Sequence, residues 1–379
     1  MSQTNKLLEV AAVFGKMGCI AFGGPAVHIA MMEEEIVNKR KWMGRQHFLD
    51  LMGATNLIPG PNSTEMTMHC GHERAGWPGL FVAGISFVVP AVIITGILAW
   101  LYVLYGQLPE VAPFVSGIKP AVLAIIGGAI LKLGKKALKG WELGVLGAMV
   151  LAASMLGVNE VMALLSAGVV GGVYFWLRSN KGKGTSLKSL APLVLLQGSG
   201  AALAKLTTLK IFWIFFKVGA VLYGSGYVLF AYLDAELVTT GLLTRPELID
   251  AIAVGQFTPG PVLSTSTFIG YQLGGLWGAI AATAGIFLPS FFFVLILNPL
   301  IPKMRKSALL RSFLDSVNIA AVAVMVAVLY EMGADTLTDW RNIVIAAAGV
   351  LMTFGPIKLN SMWVVGIGAA MGYALSWVG

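Results

Sequence analysis

The fold class expected from the sequence is an all-α integral membrane protein, built of two inverted-topology repeats with broken and re-entrant helices. Three observations predict it. The 379 residues are 57% hydrophobic and 12% charged, with a mean hydropathy of +0.81, which excludes an ordinary soluble domain. The tripeptide Pro59-Gly60-Pro61 returns as Pro259-Gly260-Pro261, each time inside an apolar stretch. The charged loops of the two halves follow opposite patterns.

The two copies match well beyond the tripeptide. Phe14, Lys16, Gly18, Gly23 and Glu35 fall on Phe215, Lys217, Gly219, Gly224 and Glu236. Further on, Gly71, Gly76, Gly79 and Pro90 fall on Gly270, Gly275, Gly278 and Pro289, and Gly134 on Gly333. Helices interrupted at matched places in two halves point to a transporter's binding site.

In the first half the hydrophobic elements run 6–37, interrupted near Phe22-Gly23-Gly24-Pro25, then 46–72, interrupted at the Pro-Gly-Pro, then 77–105, 114–134, 141–157 and 160–177. In the second they run 209–238, 246–272, 276–300, 312–332, 340–355 and 358–378. The longer runs reach the roughly 20 apolar residues that a crossing needs. Three segments are expected: a membrane repeat over 1–177, a basic Gly/Ser-rich linker over 178–208 and a second repeat over 209–379. Within the linker segment, Leu190–Leu206 reads as a further crossing or an interfacial helix. The polar start, Met1–Asn5, does not read as a cleavable signal peptide, and the apolar stretch after it matches the segment after Lys210.

Loop charge sets the orientation. Loops 38–45 (Lys39, Arg40, Lys41, Arg45) and 132–139 (Lys132, Lys135, Lys136, Lys139) are basic, whereas 106–113 carries only Glu110. In the second half it is 301–311 that is basic (Lys303, Arg305, Lys306, Arg311), while 331–341 is acidic. Basic loops stay cytoplasmic, so the halves sit upside down relative to each other. The segment 46–72 must then enter and return on one face, as two short helices joined at the Pro-Gly-Pro, and 246–272 must do so from the other. Non-helical backbone at that depth is tolerated only inside protein or against an aqueous cavity, so the two tips should approach near the midplane. Whether the first element of each half crosses or turns back is open.

The tips supply the candidate chemistry. A proline at the start of a helix loses no needed donor, and the helix N-terminus behind it favours an anion. After Pro61 the amides of Asn62, Ser63 and Thr64 are expected to be free, and after Pro261 those of Val262, Leu263 and Ser264. The hydroxyls of Ser63, Thr64, Ser264, Thr265 and Ser266 add neutral donors, and the competing role for all of them is to shape the turn and cap the helix. Gly60 and Gly260 permit the turns. Lys16 and Lys217, inside apolar helices, are read as charges that offset a divalent anion, against the alternative of snorkelling to the interface. Gly23, Gly24, Gly224 and Ser225 mark breaks that release backbone groups or act as hinges. Asn56 and Gln256 are matched amides three residues before each tripeptide. His28 and Glu65 occur only in the first half, facing Leu229 and Thr265, and are the proton-coupling candidates. His69-Cys70-Gly71-His72 has metal-ligand residue types but no second cluster, so no metal and no cofactor is expected.

With Phe22-Gly23-Gly24-Pro25 and His28, then Pro59-Gly60-Pro61, then Arg74-Ala75-Gly76-Trp77-Pro78-Gly79, the chain resembles the chromate ion transporter family. Gly224-Ser225-Gly226, Pro259-Gly260-Pro261 and Pro289 resemble that family's second domain, so the likeness spans nearly the whole chain. It implies a long-chain, two-domain protein of the bacterial inner membrane that exports chromate. The membrane potential or the proton gradient would be its energy source, and sulfate a competitor or alternative substrate. The second half departs from the pattern with Gly-Ser-Gly where the first has Gly-Gly-Pro, so the two breaks need not do the same job.

The expected partners are therefore the bilayer and a chromate or sulfate anion. The formal charge of +8 is explained by cytoplasmic loops rather than by nucleic acid, which is not expected as a partner. The oligomeric state is open, a homodimer included. No G-x-x-x-x-G-K-[ST] motif is present, so energy comes from an ion gradient or a partner. An intramembrane enzyme using His28 or His69 has less support, because no nucleophile–base motif recurs in both halves.

Overall fold

The computed structural model describes residues 2–22, 24–55, 58–106, 108–179, 207–223, 228–297, 307–356 and 359–377. Gly23, Asn56, Gly224, Ser225, Gly226, most of the linker and the basic residues Lys303, Arg305 and Lys306 lie outside them. The described chain is helical, and each half runs through the same series of elements.

The first half opens with α1 (Gln3–Ile20), started by Ser2, whose side chain accepts the Asn5 amide. A break at 21–24 leads to α2 (Pro25–Met32) and a π-helical turn (Glu33–Lys39). Then come α3 (Arg45–Thr55), the Pro-Gly-Pro tip, α4 (Asn62–Tyr105), α5 (Ala112–Ala137), α6 (Trp141–Met155) and α7 (Glu160–Ser179). The second half repeats this as α8 (Thr208–Val221), α9 (Leu229–Leu233) with a π turn (Asp234–Val238), α10 (Arg245–Phe257) and α11 (Thr265–Leu297) after a short 3-10 turn. It ends with α12 (Ala308–Thr336), α13 (Trp340–Phe354) and α14 (Ser361–Ser376).

The first element of each half does not cross; it turns back. Gly18, near the end of α1, packs on the backbone of Phe87 and on Pro90 in α4. That contact lies ten or so residues into the crossing part of α4, roughly 15–20 Å along its axis. The chain then returns, because Glu9 of α1 meets Arg40 at 2.8 Å, Trp42 at 3.3 Å and Arg74 at 2.6 Å. Three chain segments, α1, the loop 38–45 and α4, are thus pinned together at one membrane face.

The tip hairpins form as the sequence predicts. Helix α4 is broken at Ala75 and Gly76 (φ +66), and α11 at Gly274 and Gly275 (φ +59). The arms on either side of each break fold against each other so closely that a methyl at Gly71 would strike the Gly79 carbonyl, and one at Gly270 the Gly278 carbonyl. Each hairpin therefore returns to the face it entered from, and a long crossing starts there.

The halves are inverted. Phe81, early in the crossing part of α4, stacks on Phe291, late in α11, with ring centroids 5.8 Å apart. Tyr102, at the other end of α4, hydrogen-bonds Asp250 of α10 at 2.6 Å. The second hairpin thus enters where the first crossing ends. Around this pair, α5 packs on α12, α13 and α14, while α12 packs on α6 and α7. Small residues allow the close approaches, as where Gly117 abuts Gly368 and Gly372 and Gly171 abuts Ser316. Among the described residues, four helices are long and apolar enough to cross a membrane: Asn62–Tyr105, Ala112–Ala137, Val262–Ile296 and Ala308–Thr336. Ile85, Val89, Ile93 and Ile97 form an exposed apolar stripe on α4, which suits lipid rather than water.

Candidate oxyanion site at the paired tips

Each Pro-Gly-Pro tip is received by the break in the first element of the opposite half. The Gly60 amide donates to the Leu222 carbonyl at 2.6 Å, and the Gly260 amide donates to the Ala21 carbonyl at 2.9 Å. Both glycines hold positive φ, +140° and +87°, so the turns need glycine. Gly260 also lies against Gly18, Phe87 and Ala91, and Gly60 against Glu65 and Ser290. Ala91 and Ser290 each come directly after the mid-helix proline of a crossing, which places both tips at similar depth.

Behind the tips the hydroxyls are buried and incompletely used. Thr64 and Ser264, in matched positions, are 0% exposed, and neither hydroxyl has a hydrogen-bond partner among the described residues. Such a group costs on the order of 1–3 kcal/mol while it stays unpaired. Thr265, by contrast, donates to the Val262 carbonyl at 2.8 Å, and the buried Ser63 lends its carbonyl to Thr67 at 2.9 Å. Asn62 begins α4 and is half-buried. Gln256 is buried beside the second tip, its amide nitrogen unpartnered among the described residues.

Two expected backbone donors are already occupied. The amide of Thr64 bonds the Pro61 carbonyl at 2.8 Å, and that of Ser264 the Pro261 carbonyl at 2.9 Å. The carbonyl at each helix start tightens the first turn and takes up its third amide, so at these two positions the hydroxyl, not the amide, is the unused donor.

The first-half asymmetries lie close to the tips. Gly24 (φ +79) starts α2, and Pro25 comes next as the first helical residue. His28, one turn later, is 1% exposed and donates from Nε2 to the Ala21 carbonyl at 3.1 Å, the same carbonyl that receives Gly260. Its Nδ1 is buried without a partner among the described residues, and its ring meets Phe87 edge-on at 5.4 Å. In the second half the neighbouring Val221 carbonyl is instead held by the Tyr232 hydroxyl at 2.8 Å. Glu65 is 0% exposed, and neither carboxyl oxygen has a partner among the described residues.

Both lysines share their surroundings with carboxylates. Lys217 meets Glu236 at 2.5 Å. Lys16, its counterpart, lines a cleft of about 710 Å³ between α1 and α2 with its π turn, with Glu34, Glu35 and Arg40 at its rim.

Sequence reasoning missed one buried charged cluster. Lys119 of α5 approaches Asp250 of α10 at 3.3 Å, and Tyr102 of α4 completes the group, joining the halves near the face opposite to loop 38–45. The available signal was a lysine and an aspartate inside apolar runs. Ser290 left no such signal.

Comparison with known proteins agrees with this architecture. A family model described as "Chromate transporter" matches twice, over residues 8–172 and 209–373. The "Chromate transport protein" of Cupriavidus metallidurans is 28% identical over 376 residues, covering 97% of this chain and 93% of its own. The "Chromate transport protein" of Pseudomonas aeruginosa is 29% identical, covering 94% and 89%. A shorter relative, "Uncharacterized transporter YwrA" of Bacillus subtilis, is 25% identical over 158 residues, 41% of this chain but 89% of its own length. No solved structure matches. Matched across both of its repeats, the chain belongs to the chromate transporter family.

Proposed function

We propose that this protein is a secondary transporter that exports chromate across the bacterial inner membrane, with sulfate or another oxyanion as the alternative cargo. Its working units are the repeats 1–177 and 209–379, joined by 178–208. The observation that carries the reading is the reciprocal pair of bonds from Gly60 to Leu222 and from Gly260 to Ala21, next to the unpartnered hydroxyls of Thr64 and Ser264. A tetrahedral dianion suits such a place, because neutral donors and helix N-termini stabilise negative charge without a fixed counter-ion. Gly23, Gly24, Gly224 and Ser225 would line the breaks, and Asn56 and Gln256 would flank the tips. Lys16 and Lys217, one turn or so before those breaks, would offset the dianion's charge on its way in. His28 and Glu65 are the groups that would move protons. The relatives named for chromate transport favour that cargo.

The test is flux of labelled chromate and labelled sulfate into everted membrane vesicles, with and without an imposed proton gradient. Gradient-dependent chromate uptake, reduced by excess sulfate, is expected. Uptake equal to that of vesicles lacking the protein overturns the reading.

A further inference from the structure

The two tips share one plan but are furnished differently. In each half the residue after the crossing helix's proline touches the tip glycine of the other half. A methyl added at Gly260 would meet Ala91 Cβ, and one added at Gly60 would meet Ser290 Oγ. Gly60 is flanked as well by Glu65 Oε1. The counterpart of Glu65, Thr265, lies against Gly255 and bonds its own first turn. The first tip thus has a carboxyl and a hydroxyl where the second has a satisfied threonine and a methyl group.

Glu65 and Ser290 are both 0% exposed, and among the described residues neither Glu65 Oε1, Glu65 Oε2 nor Ser290 Oγ has a partner. The two side chains therefore face the same glycine without bonding each other. Among the described residues no hydrogen bond or ion pair reaches either oxygen of Glu65. A carboxyl at membrane depth without a counter-charge is costly when ionised and marks function by default.

We propose that Glu65 and Ser290, one from each repeat, form a single proton-linked oxyanion site against Gly60. In the protonated form the Glu65 acid and the Ser290 hydroxyl each donate a hydrogen bond to the dianion, with the Thr64 hydroxyl as a third donor. When Glu65 loses its proton, its carboxylate faces the dianion and drives it off. One proton is taken up on binding and one is returned on release, so a dianion and a proton move together, and the net negative charge they carry lets an inside-negative membrane potential drive them outward. The second tip offers no titratable group at the matched positions and serves as the pivot. This deepens the oxyanion-transport reading and rests on it.

The experiment uses the full chain in liposomes that enclose a pH-sensitive dye, with chromate on one side. For the wild type, chromate entry is expected to carry protons inward and to be faster at acid pH. Glu65→Gln keeps a neutral donor, so chromate should still move down its gradient, but without proton movement and with a flat pH profile. Glu65→Asp should restore both. Ser290→Ala, which leaves the carboxyl in place, should lower flux about tenfold, the worth of one hydrogen bond to a charged group, and keep the coupling. A pH profile and proton movement in Glu65→Gln equal to wild type, or unchanged flux in Ser290→Ala, overturns the inference alone. If Glu65→Gln does not reach the membrane, the Ser290→Ala flux decides. If the wild type moves neither chromate nor sulfate, the transport reading falls and this inference with it.

Discussion

The amide of Gly60 donates to the carbonyl of Leu222 at 2.6 Å, so the turn of the first hairpin is held by the opposite repeat. The Gly260–Ala21 bond does the same in the other direction at 2.9 Å. Neither half completes its own tip. A shift of one repeat against the other must therefore break or stretch both bonds, which makes the tips sensitive to the relative position of the halves.

Replacing Gly60 is expected to be more harmful than replacing other strained glycines. At Gly60 an alanine combines φ +140° with collision against Glu65 and Ser290. At Gly76 (φ +66°) an added methyl meets nothing within 4 Å, so only backbone strain of about 1–2 kcal/mol remains. Gly76→Ala should lower the melting temperature of the detergent-solubilised protein by a few degrees and keep most of the chromate flux. Gly60→Ala should abolish flux; equal flux in the two variants would contradict the placement of Glu65.

The inversion can be read from outside the cell. Lys41 and Thr338 are exposed in loops that the fold places on opposite faces. With the exposed Cys19 replaced by serine and the buried Cys70 retained, Lys41→Cys and Thr338→Cys give two single reporters. A membrane-impermeant maleimide should label Thr338→Cys in intact cells and Lys41→Cys only in everted vesicles. Labelling of both from one side would refute the topology.

Much of this was legible in advance, because length, apolar periodicity and loop charge are properties of the chain alone. The hairpin at Pro59-Gly60-Pro61, the turn at Gly76 and the inverted order of the halves all derive from them. The fate of the first element did not, since 6–37 is long enough to cross; only the bonds from Glu9 to Arg40 and Arg74 show that it returns. Ser290 was silent for a different reason. Its counterpart is Ala91, and its meaning arises only when α11 packs beside Gly60. The matched pairs Lys16/Lys217 and Glu35/Glu236 were visible as a repeat, but the 2.5 Å contact between Lys217 and Glu236 is a product of the fold.

That contact separates two roles for Lys217. If it serves only to neutralise Glu236, the exchanged pair Lys217→Glu with Glu236→Lys should recover both membrane abundance and chromate flux. If its charge also meets the anion, the exchange should restore abundance and leave flux low, as in Lys217→Gln. We expect the second result, with flux reduced at least tenfold at normal abundance. Quantitative blotting beside vesicle uptake reads both.

The Lys119–Asp250–Tyr102 cluster joins the far end of the first crossing to the entry of the second hairpin. Asp250 is 4% exposed, whereas the side chain of Lys119 is 25% exposed, so water already offsets part of the lysine's desolvation. Removing one partner of a buried pair costs more than removing both, because the remaining charge is left uncompensated. Asp250→Asn should therefore destabilise the protein by roughly 1–3 kcal/mol, at the low end for buried pairs on account of that partial exposure. Adding Lys119→Met should recover most of the loss. Tyr102→Phe removes a single hydrogen bond to a charged group and should cost about 1.5 kcal/mol or more. Thermal unfolding in detergent measures all three. Because the cluster binds α10 to α4 and α5 rather than lining the tips, the double variant should keep its apparent affinity for chromate even where its maximal rate changes. A double variant no more stable than Asp250→Asn alone would show that Lys119 is satisfied elsewhere and that the halves are not clamped by this pair.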